Sequence, residues 1–219
     1  MNEPAVTRWN DAGRAELLAR AEQLLLRPGR AMLGITGAPG AGKSTLAQWL
    51  LRSIESTHPG EAALLPMDGF HLAQAVIDAR GLAGRKGSPE TFDGEGFLVA
   101  LRRARDETAG SVFVPEFRRE IEEPVAAAIE IPSSARLVIA EGNYLLLEAA
   151  PWREVAALLD ESWFVRLDPA ERVRRLTARH MEFGNDVATA KTRLQHNDEP
   201  NALLIADGCR RSSVVIEAD

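Results

Sequence analysis

The chain has 219 residues, which suits one domain with a sizeable core, or one domain with a small lid. Hydrophobic residues at 45% and charged residues at 26% are ordinary for a soluble globular protein. The formal net charge of −6 argues against nucleic acid as a partner, because nucleic-acid-binding proteins usually carry a basic surplus. The single cysteine, Cys209, rules out an internal disulfide and fits a reducing compartment.

The sequence shows no targeting or membrane segment. Residues 1–11 lack an apolar run of signal-peptide length, and no uncharged apolar stretch approaches the ~20 residues that a membrane helix needs. We therefore expect a cytoplasmic protein that does not contact a membrane. The oligomeric state is left open, with a homodimer among the alternatives.

Apolar runs alternate with helical periodicities along the chain. The predicted strands cover residues 31–36, 62–67, 112–117, 127–131, 137–140, 163–167 and 213–216. The predicted helices cover residues 12–26, 72–79, 170–183, 187–196 and the periodic segments Leu46 to Ile54 and Phe97 to Leu101. This alternation predicts an α/β fold in three α/β/α layers, with a mainly parallel sheet and helices on both faces. We expect one domain over residues 1–219, with a small helical lid at about 169–185.

A glycine-rich segment lies between the first predicted strand and the helix that follows it. It fits the phosphate-binding pattern G-x-x-x-x-G-K-[ST] and consists of Gly37, Ala38, Pro39, Gly40, Ala41, Gly42, Lys43, Ser44 and Thr45. Its glycines let backbone N–H groups surround phosphate oxygens at a helix N-terminus. Lys43 is expected to reach the β- and γ-phosphates, and the Ser44 hydroxyl to bind Mg²⁺. A purely structural turn is the alternative, but the flanking strand and helix favour binding of a nucleoside triphosphate.

Two carboxylates follow predicted strands, where ligands gather in parallel α/β sheets. Asp68 comes just after the strand at 62–67, and we interpret it as the general base that orients and deprotonates an acceptor hydroxyl. A helix-capping aspartate is the alternative. Glu141 follows the strand at 137–140 and is expected to hold Mg²⁺. A plain strand-end carboxylate is the alternative there.

The helix predicted after residue 169 carries a basic stripe. Arg172, Arg175 and Arg179 are spaced i, i+3 and i+7, so they share one face. Such a face could fold over the triphosphate, with Arg175 at ATP and Arg179 as a catalytic residue that neutralises charge during transfer. A solvated face paired with glutamates of the same helix is an equal alternative. Gly184 is expected to end the helix and provide a hinge.

Further polar residues are predicted on the acceptor side. Arg85–Gly87 adds positive charge there, with a solvated loop as the alternative. His71 is a candidate substrate contact, although a lone histidine is more often a hydrogen-bonded structural residue.

The motifs taken together resemble the P-loop kinases of the phosphoribulokinase, uridine kinase and bacterial-type pantothenate kinase superfamily. The resemblance rests on residues 37–45, 68–71, 85–93, 141–146 and 197–202. It implies that Asp68 activates the acceptor, that Glu141 is associated with the metal, and that Arg179 belongs to the lid. It also implies that Tyr144 and Asn201 lie at the acceptor pocket.

One segment departs from the family pattern. Relatives tend to carry an acidic residue where this chain has Arg118, in Pro115–Arg119. Arg118 is therefore expected at the acceptor pocket with a reversed charge, which leaves the inherited specificity open.

The sequence predicts an ATP-dependent kinase that uses Mg²⁺ and phosphorylates a hydroxyl of a small molecule, with pantothenate, a nucleoside and a sugar all open. The alternative is a nucleotide-dependent switch or regulatory ATPase without a small acceptor. The sequence contains neither the Asn-Lys-x-Asp motif of GTPases nor the Leu-Ser-Gly-Gly-Gln signature of transporter ATPases.

Overall fold

The computed structural model describes residues 3–182 and 186–218. The strands are β1 Ala5–Arg8, β2 Ala31–Gly37, β3 Ala62–Pro66, β4 Val112–Arg118, β5 Glu123–Ile131, β6 Leu137–Glu141, β7 Glu161–Leu167 and β8 Val214–Ala218. Within the described residues, six of them pair in parallel in the order β1-β8-β7-β2-β6-β3. The mainly parallel sheet is therefore as predicted.

Helices connect the parallel strands. They are α1 Asp11–Leu25, α2 Lys43–Thr57, α3 Gln74–Ala79, α4 Gly94–Asp106, α5 Trp152–Ala157, α6 Pro169–Glu182, α7 Val187–Arg193, α8 Glu199–Ile205 and α9 Gly208–Arg211. Asn10 caps the start of α1, because its side-chain oxygen accepts a hydrogen bond from the Gly13 amide at 3.0 Å. Asp93 starts α4 in the same way, through the Gly96 amide at 2.8 Å.

Apolar clusters cover both faces of the sheet. On one face, α1 and α2 contribute buried side chains such as Leu17 and Leu50. On the other face, α4 and α5 contribute Phe97 and Trp152. Side chains alternate along β2, so this strand supplies both clusters and is buried over its whole length. The result is the predicted three-layer α/β/α arrangement.

The two strands predicted between residues 112 and 131 do not join this sheet. β4 and β5 form a separate antiparallel hairpin. The four residues between them, 119–122, are too few for a parallel crossover, which takes a dozen residues or more. Parallel pairing is predicted where strands alternate with helices, but no helix lies within residues 119–122 between these two strands, so that rule does not apply to them.

The sequence patterns missed four short elements, namely β1, α5, α8 and α9. β1 is an edge strand with mostly exposed side chains, so it lacks the apolar run of a buried strand. The predicted helix at 187–196 ends earlier, at Arg193, and a π-helical turn follows over Leu194–Asp198. The hinge predicted at Gly184 lies outside the described residues. In the part of the chain that the structure describes, no helix combines the length and apolar character needed to cross a bilayer.

Candidate active site

Three neighbouring strands end together at one edge of the sheet. Glu141, the last residue of β6, is level with Ile35 of β2 on one side and with Pro66 of β3 on the other. The chain leaves β2 into the segment 37–45, and it leaves β3 into a 3-10 turn that carries Asp68. Neighbouring strands are only about 4.8 Å apart. The glycine-rich segment and both carboxylates therefore converge, as the sequence predicts.

The segment 37–45 has the geometry of a phosphate cradle. Gly42 precedes α2 with φ +97°, a conformation that residues with a Cβ rarely adopt, and a Cβ there would point into open space. As a glycine it offers no capping side chain to the first turn of α2. The backbone N–H groups at this helix start can therefore donate to an anion.

Lys43 and Glu141 form a buried pair beside the cradle. The Lys43 ammonium donates to the Ala38 carbonyl at 3.1 Å, so it lies across the loop. Burial raises the pKa of Glu141 to about 7, while the positive charge of Lys43 and a hydrogen bond from Ser44 oppose the rise. Burial lowers the pKa of Lys43, and the charges of Glu141 and Asp68 act in the opposite direction. Removing either charge would leave the other buried without its main partner.

The side of the site that the sequence predicts to bind the acceptor, called the acceptor side below, begins at Asp68, whose side chain is 38% exposed. Arg119 places Nη2 3.7 Å from its Oδ2. His71 follows in the same turn, and its Nδ1 lies 2.8 Å from the Asp68 carbonyl oxygen. Because a carbonyl only accepts, Nδ1 is the donor, and Nε2 of the neutral ring is an acceptor. Burial lowers the pKa of His71, which favours this neutral form.

A cleft of about 760 Å³ joins the cradle to the acceptor side. Its lining combines predicted residues with residues that the sequence did not single out. The predicted ones are Pro39, Lys43, Ser44, Asp68, His71, Lys86, Gly87, Glu141, Arg179 and Asn201. Four further lining residues lie in segments on which the family resemblance rests, namely Phe92, Asn143, Asn197 and Asp198. The residues that the sequence did not single out are Gln74, Ala83, Gly84, Phe117, Arg119 and Glu122.

Arg118 is not among the lining residues, and Arg119 is. The Arg118 guanidinium pairs with Glu116 at 2.6 Å and is half exposed. Glu116 and Arg118 lie two residues apart in β4 and therefore share a face of the strand. Phe117 lines the cleft, and Arg119, just after the strand, lies over the Phe117 ring with its guanidinium carbon 5.9 Å from the centroid. The alternation along residues 116–118 could have indicated that Arg118 and Phe117 lie on opposite faces.

Tyr144 is fully buried and lies outside the cleft lining. Its hydroxyl donates to the Gly87 carbonyl at 2.5 Å, and the Asn201 side chain donates to the same oxygen at 3.3 Å. Asn197 donates to the neighbouring Lys86 carbonyl. These residues thus hold the 86–87 backbone at the acceptor side of the cleft.

The three arginines of the α6 stripe lie in different surroundings. Arg172 is buried and pairs with Glu199 of α8. Arg179 lines the large cleft, where burial and the charge of Arg119 lower its pKa and the charges of Asp198 and Asp68 oppose this. Arg175 lies on the other side of the loop and donates to Glu171 at 2.7 Å.

The helix α6 lies directly over the loop, with Leu176 against Gly40. A Cβ on Gly40 would come within 2.8 Å of the Leu176 side chain. Leu176 itself is fully buried. The contact places Arg175, just before Leu176, and Arg179, three residues after it, on opposite sides of the phosphate cradle.

A second cavity of about 130 Å³ lies beside Arg175. Its lining comes from the loop, α2, the ends of β7 and β8, and Trp9, and comprises Trp9, Ala41, Gly42, Thr45, Leu46, Val165, Arg175, Ile216 and Ala218. Trp9 follows the unpredicted strand β1 and packs edge-on against Trp49, with ring centroids 5.0 Å apart. The loop therefore separates two cavities.

The residues beside the cradle fit a magnesium ion. The side chains that meet there are oxygen donors, namely the Ser44 hydroxyl and the carboxylates of Glu141 and Asp68. Mg²⁺ prefers such donors and usually takes only one or two carboxylates from the protein, with phosphate oxygens and water completing its shell. Among the described residues, no cluster of three or more His, Cys, Asp or Glu offers a fuller site.

Comparisons with known proteins identify relatives of this chain, although a scan against protein-family profiles finds no match. The chain is 41% identical over 145 residues to the "ATP-dependent kinase-like protein notR'" of Aspergillus versicolor, a match covering 62% of this chain and 84% of that one. It is 32% identical over 212 residues to the "Putative uridine kinase C227.14" of Schizosaccharomyces pombe, covering 92% and 89%.

A solved structure extends the similarity to three dimensions. It is the crystal structure of a "putative fructose transport system kinase" from Silicibacter sp. TM1040, which matches with a TM-score of 0.82 and 36% identity. The match covers 92% of this chain and 98% of that one. The chain therefore belongs to the phosphoribulokinase/uridine kinase family of ATP-dependent P-loop kinases.

Proposed function

We propose that this protein transfers the γ-phosphoryl group of ATP to a hydroxyl of a small molecule. The observation that carries the proposal is the continuity of one cleft, which runs from the phosphate cradle to Asp68. An acceptor beside Asp68 and a triphosphate on the cradle would meet in this cleft, as in-line transfer requires. The names of two relatives, a putative uridine kinase and a putative fructose transport system kinase, agree with a hydroxyl acceptor.

The reaction divides among the residues of the cleft. Asp68 orients the acceptor hydroxyl and accepts its proton. Lys43 and Arg179 neutralise charge on the transferred phosphoryl group. Ser44 and Glu141 would hold a Mg²⁺ ion, which would offset negative charge on the phosphates.

The helix α6 serves as the lid of this site. Its contact with Gly40 brings Arg179 to the phosphoryl side and Arg175 to the second cavity. Closing a site in this way excludes water, which would otherwise compete with the acceptor hydroxyl. We propose further that the chain acts as one kinase domain, since lid and acceptor residues come from elements packed on one sheet.

The second cavity is proposed to receive the nucleoside end of ATP. It lies across the loop from the acceptor, and Gly42 and Thr45 of the cradle form part of its wall. Arg175 and Trp9 supply a cation and an aromatic ring beside it. A base held there would leave the phosphates on the cradle, pointing to Lys43.

ADP release in the presence of candidate acceptors tests the proposal. The purified protein is incubated with Mg·ATP and, in turn, with pantothenate, ribonucleosides and ketoses. At least one compound should accelerate ADP release and yield a phosphorylated product. Hydrolysis of ATP that no compound changes would favour the regulatory ATPase instead.

A further inference from the structure

The cleft residue Lys86 already has partners within the protein. Its ammonium donates to Gln74 Oε1 at 3.0 Å and to the Glu122 carbonyl at 3.0 Å, and it forms an ion pair with a Glu122 carboxylate oxygen at 3.6 Å. Two of its three N–H donors are therefore used in hydrogen bonds, and its charge already faces an acid. Lys86 therefore holds the turn of the β4–β5 hairpin against α3, and an incoming anion would have to compete with these contacts.

The two arginines of the acceptor side also face carboxylates. Arg119 lies 3.7 Å from Asp68. Burial and the charge of Arg119 lower the pKa of Arg179, and the charges of Asp198, Asp68 and Glu122 oppose this. An anionic acceptor would compete with these carboxylates for each guanidinium. Like charges placed together disfavour a ligand strongly, and proteins use such repulsion to reject partners.

Before any ligand enters, the described cleft lining holds as many acidic as basic side chains. Its cations are Lys43, Lys86, Arg119 and Arg179. Its acids are Asp68, Glu122, Glu141 and Asp198. Mg·ATP adds net negative charge, so a second anion beside it would enter a negatively charged cleft.

The uncharged groups of the acceptor side suit hydroxyls. Nε2 of neutral His71 can accept a hydrogen bond from a hydroxyl. The His71 ring packs against Phe92 and Phe117, with centroids 4.0 Å and 4.8 Å away, and all three rings line the cleft. An apolar wall beside hydrogen-bonding groups matches a molecule with both C–H and O–H surface.

We propose that the acceptor is an uncharged polyhydroxylated molecule, such as a free sugar or nucleoside, and that the cleft rejects acceptors bearing a carboxylate or phosphate. This inference rests on the proposed kinase function and narrows its acceptor class.

Matched pairs of acceptors test the inference. Each pair shares a scaffold and differs in one charged group: panthenol and pantothenate, glycerol and glycerate, uridine and uridine monophosphate, fructose and fructose 6-phosphate. ADP release gives kcat/KM for each member, and products formed from a bacterial metabolite extract are identified by mass spectrometry. The uncharged member of the used pair should be favoured by about tenfold or more, a size typical of unfavourable charge contacts.

A variant tests the cause of the preference. Glu122→Gln removes one acid of the cleft and keeps the backbone contact to Lys86, so it should raise kcat/KM for the charged member relative to the uncharged one. Glu116→Gln is the matched control, because Glu116 pairs with Arg118 away from the cleft. It should leave the ratio unchanged, and the KM for ATP should be unaffected in both variants.

The possible results separate the two proposals. A preference for the charged members, or anionic acceptors among the extract products, would overturn this inference and leave the kinase function intact. An unchanged ratio in Glu122→Gln would remove charge as its cause. If neither panel nor extract yields a phosphorylated product, the kinase proposal fails and the acceptor inference fails with it.

Discussion

The hydroxyl of Tyr144 and the carbonyl of Gly87 are joined by a 2.5 Å hydrogen bond across the interior of the protein. Tyr144 lies three residues after Glu141, the last residue of β6, whereas Gly87 lies in the loop between α3 and α4. The family resemblance placed Tyr144 at the substrate. In the structure Tyr144 is fully buried, so it can affect an acceptor only indirectly, by holding the 86–87 backbone in place.

Replacing Tyr144 should therefore change the loop without changing nucleotide binding. Tyr144→Phe removes the hydrogen bond and should destabilise the protein by about 1 kcal/mol, measured by urea unfolding. The loss stays moderate because Asn201 still donates to Gly87. Removing the Asn201 amide as well should cost more than the two single losses combined. Additive effects would argue that the two donors do not share one acceptor.

Replacing Asp68 should stop transfer and spare ATP binding. Asp68→Asn keeps the shape of the side chain but cannot accept the proton of the acceptor hydroxyl. We expect kcat to fall by roughly 10²–10⁴-fold, the usual contribution of a general base. Isothermal titration with ADP should give an unchanged affinity. Asp106→Asn, at an exposed aspartate that ends α4, is the control. Full turnover in Asp68→Asn would remove Asp68 from the mechanism.

Replacing Lys43 should abolish phosphoryl transfer. Lys43→Ala removes the cation across the loop and leaves Glu141 buried without its main opposite charge. Both ADP formation and thermal stability should fall, and circular dichroism separates loss of catalysis from loss of fold. Lys191→Ala changes an exposed lysine of α7 and should have little effect on either. Normal activity in Lys43→Ala would contradict the assignment of the loop.

Glu141 should make the metal-free protein less stable as the pH rises. Its pKa is about 7 when folded, above the ordinary value of 4.5, so the folded state holds the proton more tightly than the unfolded state. Stability should therefore fall between about pH 4.5 and pH 7, by up to about 3 kcal/mol. Urea unfolding in EDTA at pH 5 and pH 8 measures the fall, which should be smaller in Glu141→Gln. Identical pH dependence in both proteins would contradict the raised pKa.

Trp9 should report on the nucleoside end of ATP. If a base enters the second cavity, Trp9→Ala should weaken ATP binding by about tenfold, in the range of one base–aromatic contact. Tripolyphosphate shares the phosphates but lacks the base, so its affinity should not change. ATP should also alter the tryptophan fluorescence of the wild-type protein. Equal losses for both ligands would place the effect at the cradle and not at the base.

The sequence was sufficient for the features that depend on local order along the chain. The strand–loop–helix around Lys43 was recognisable because glycine spacing and apolar periodicity are both local. Asp68 and Glu141 were found because parallel strands carry their ends to one edge of the sheet. The sheet and its covering helices followed from the same alternation of elements.

The sequence was insufficient wherever a side chain's partner lies far along the chain. The sequence led to Arg118 and not Arg119 as the arginine at the cleft, because the direction of each side chain depends on how the hairpin packs against the sheet. It gave no sign of Trp9, whose place beside the loop requires the pairing of β1 with β8 across more than two hundred residues. It also could not show that Lys86 is engaged by Gln74 and Glu122.

The amino-acid order alone was thus sufficient to predict the loop at 37–45, the two carboxylates at strand ends and the family, since each depends on short motifs and on the order of elements along the chain. Tertiary structure alone decided which cations of the cleft face an acid and which face of each element meets the acceptor. Charge pairing depends on distances in space, and residues 86 and 122 become neighbours only when the hairpin has packed against α3.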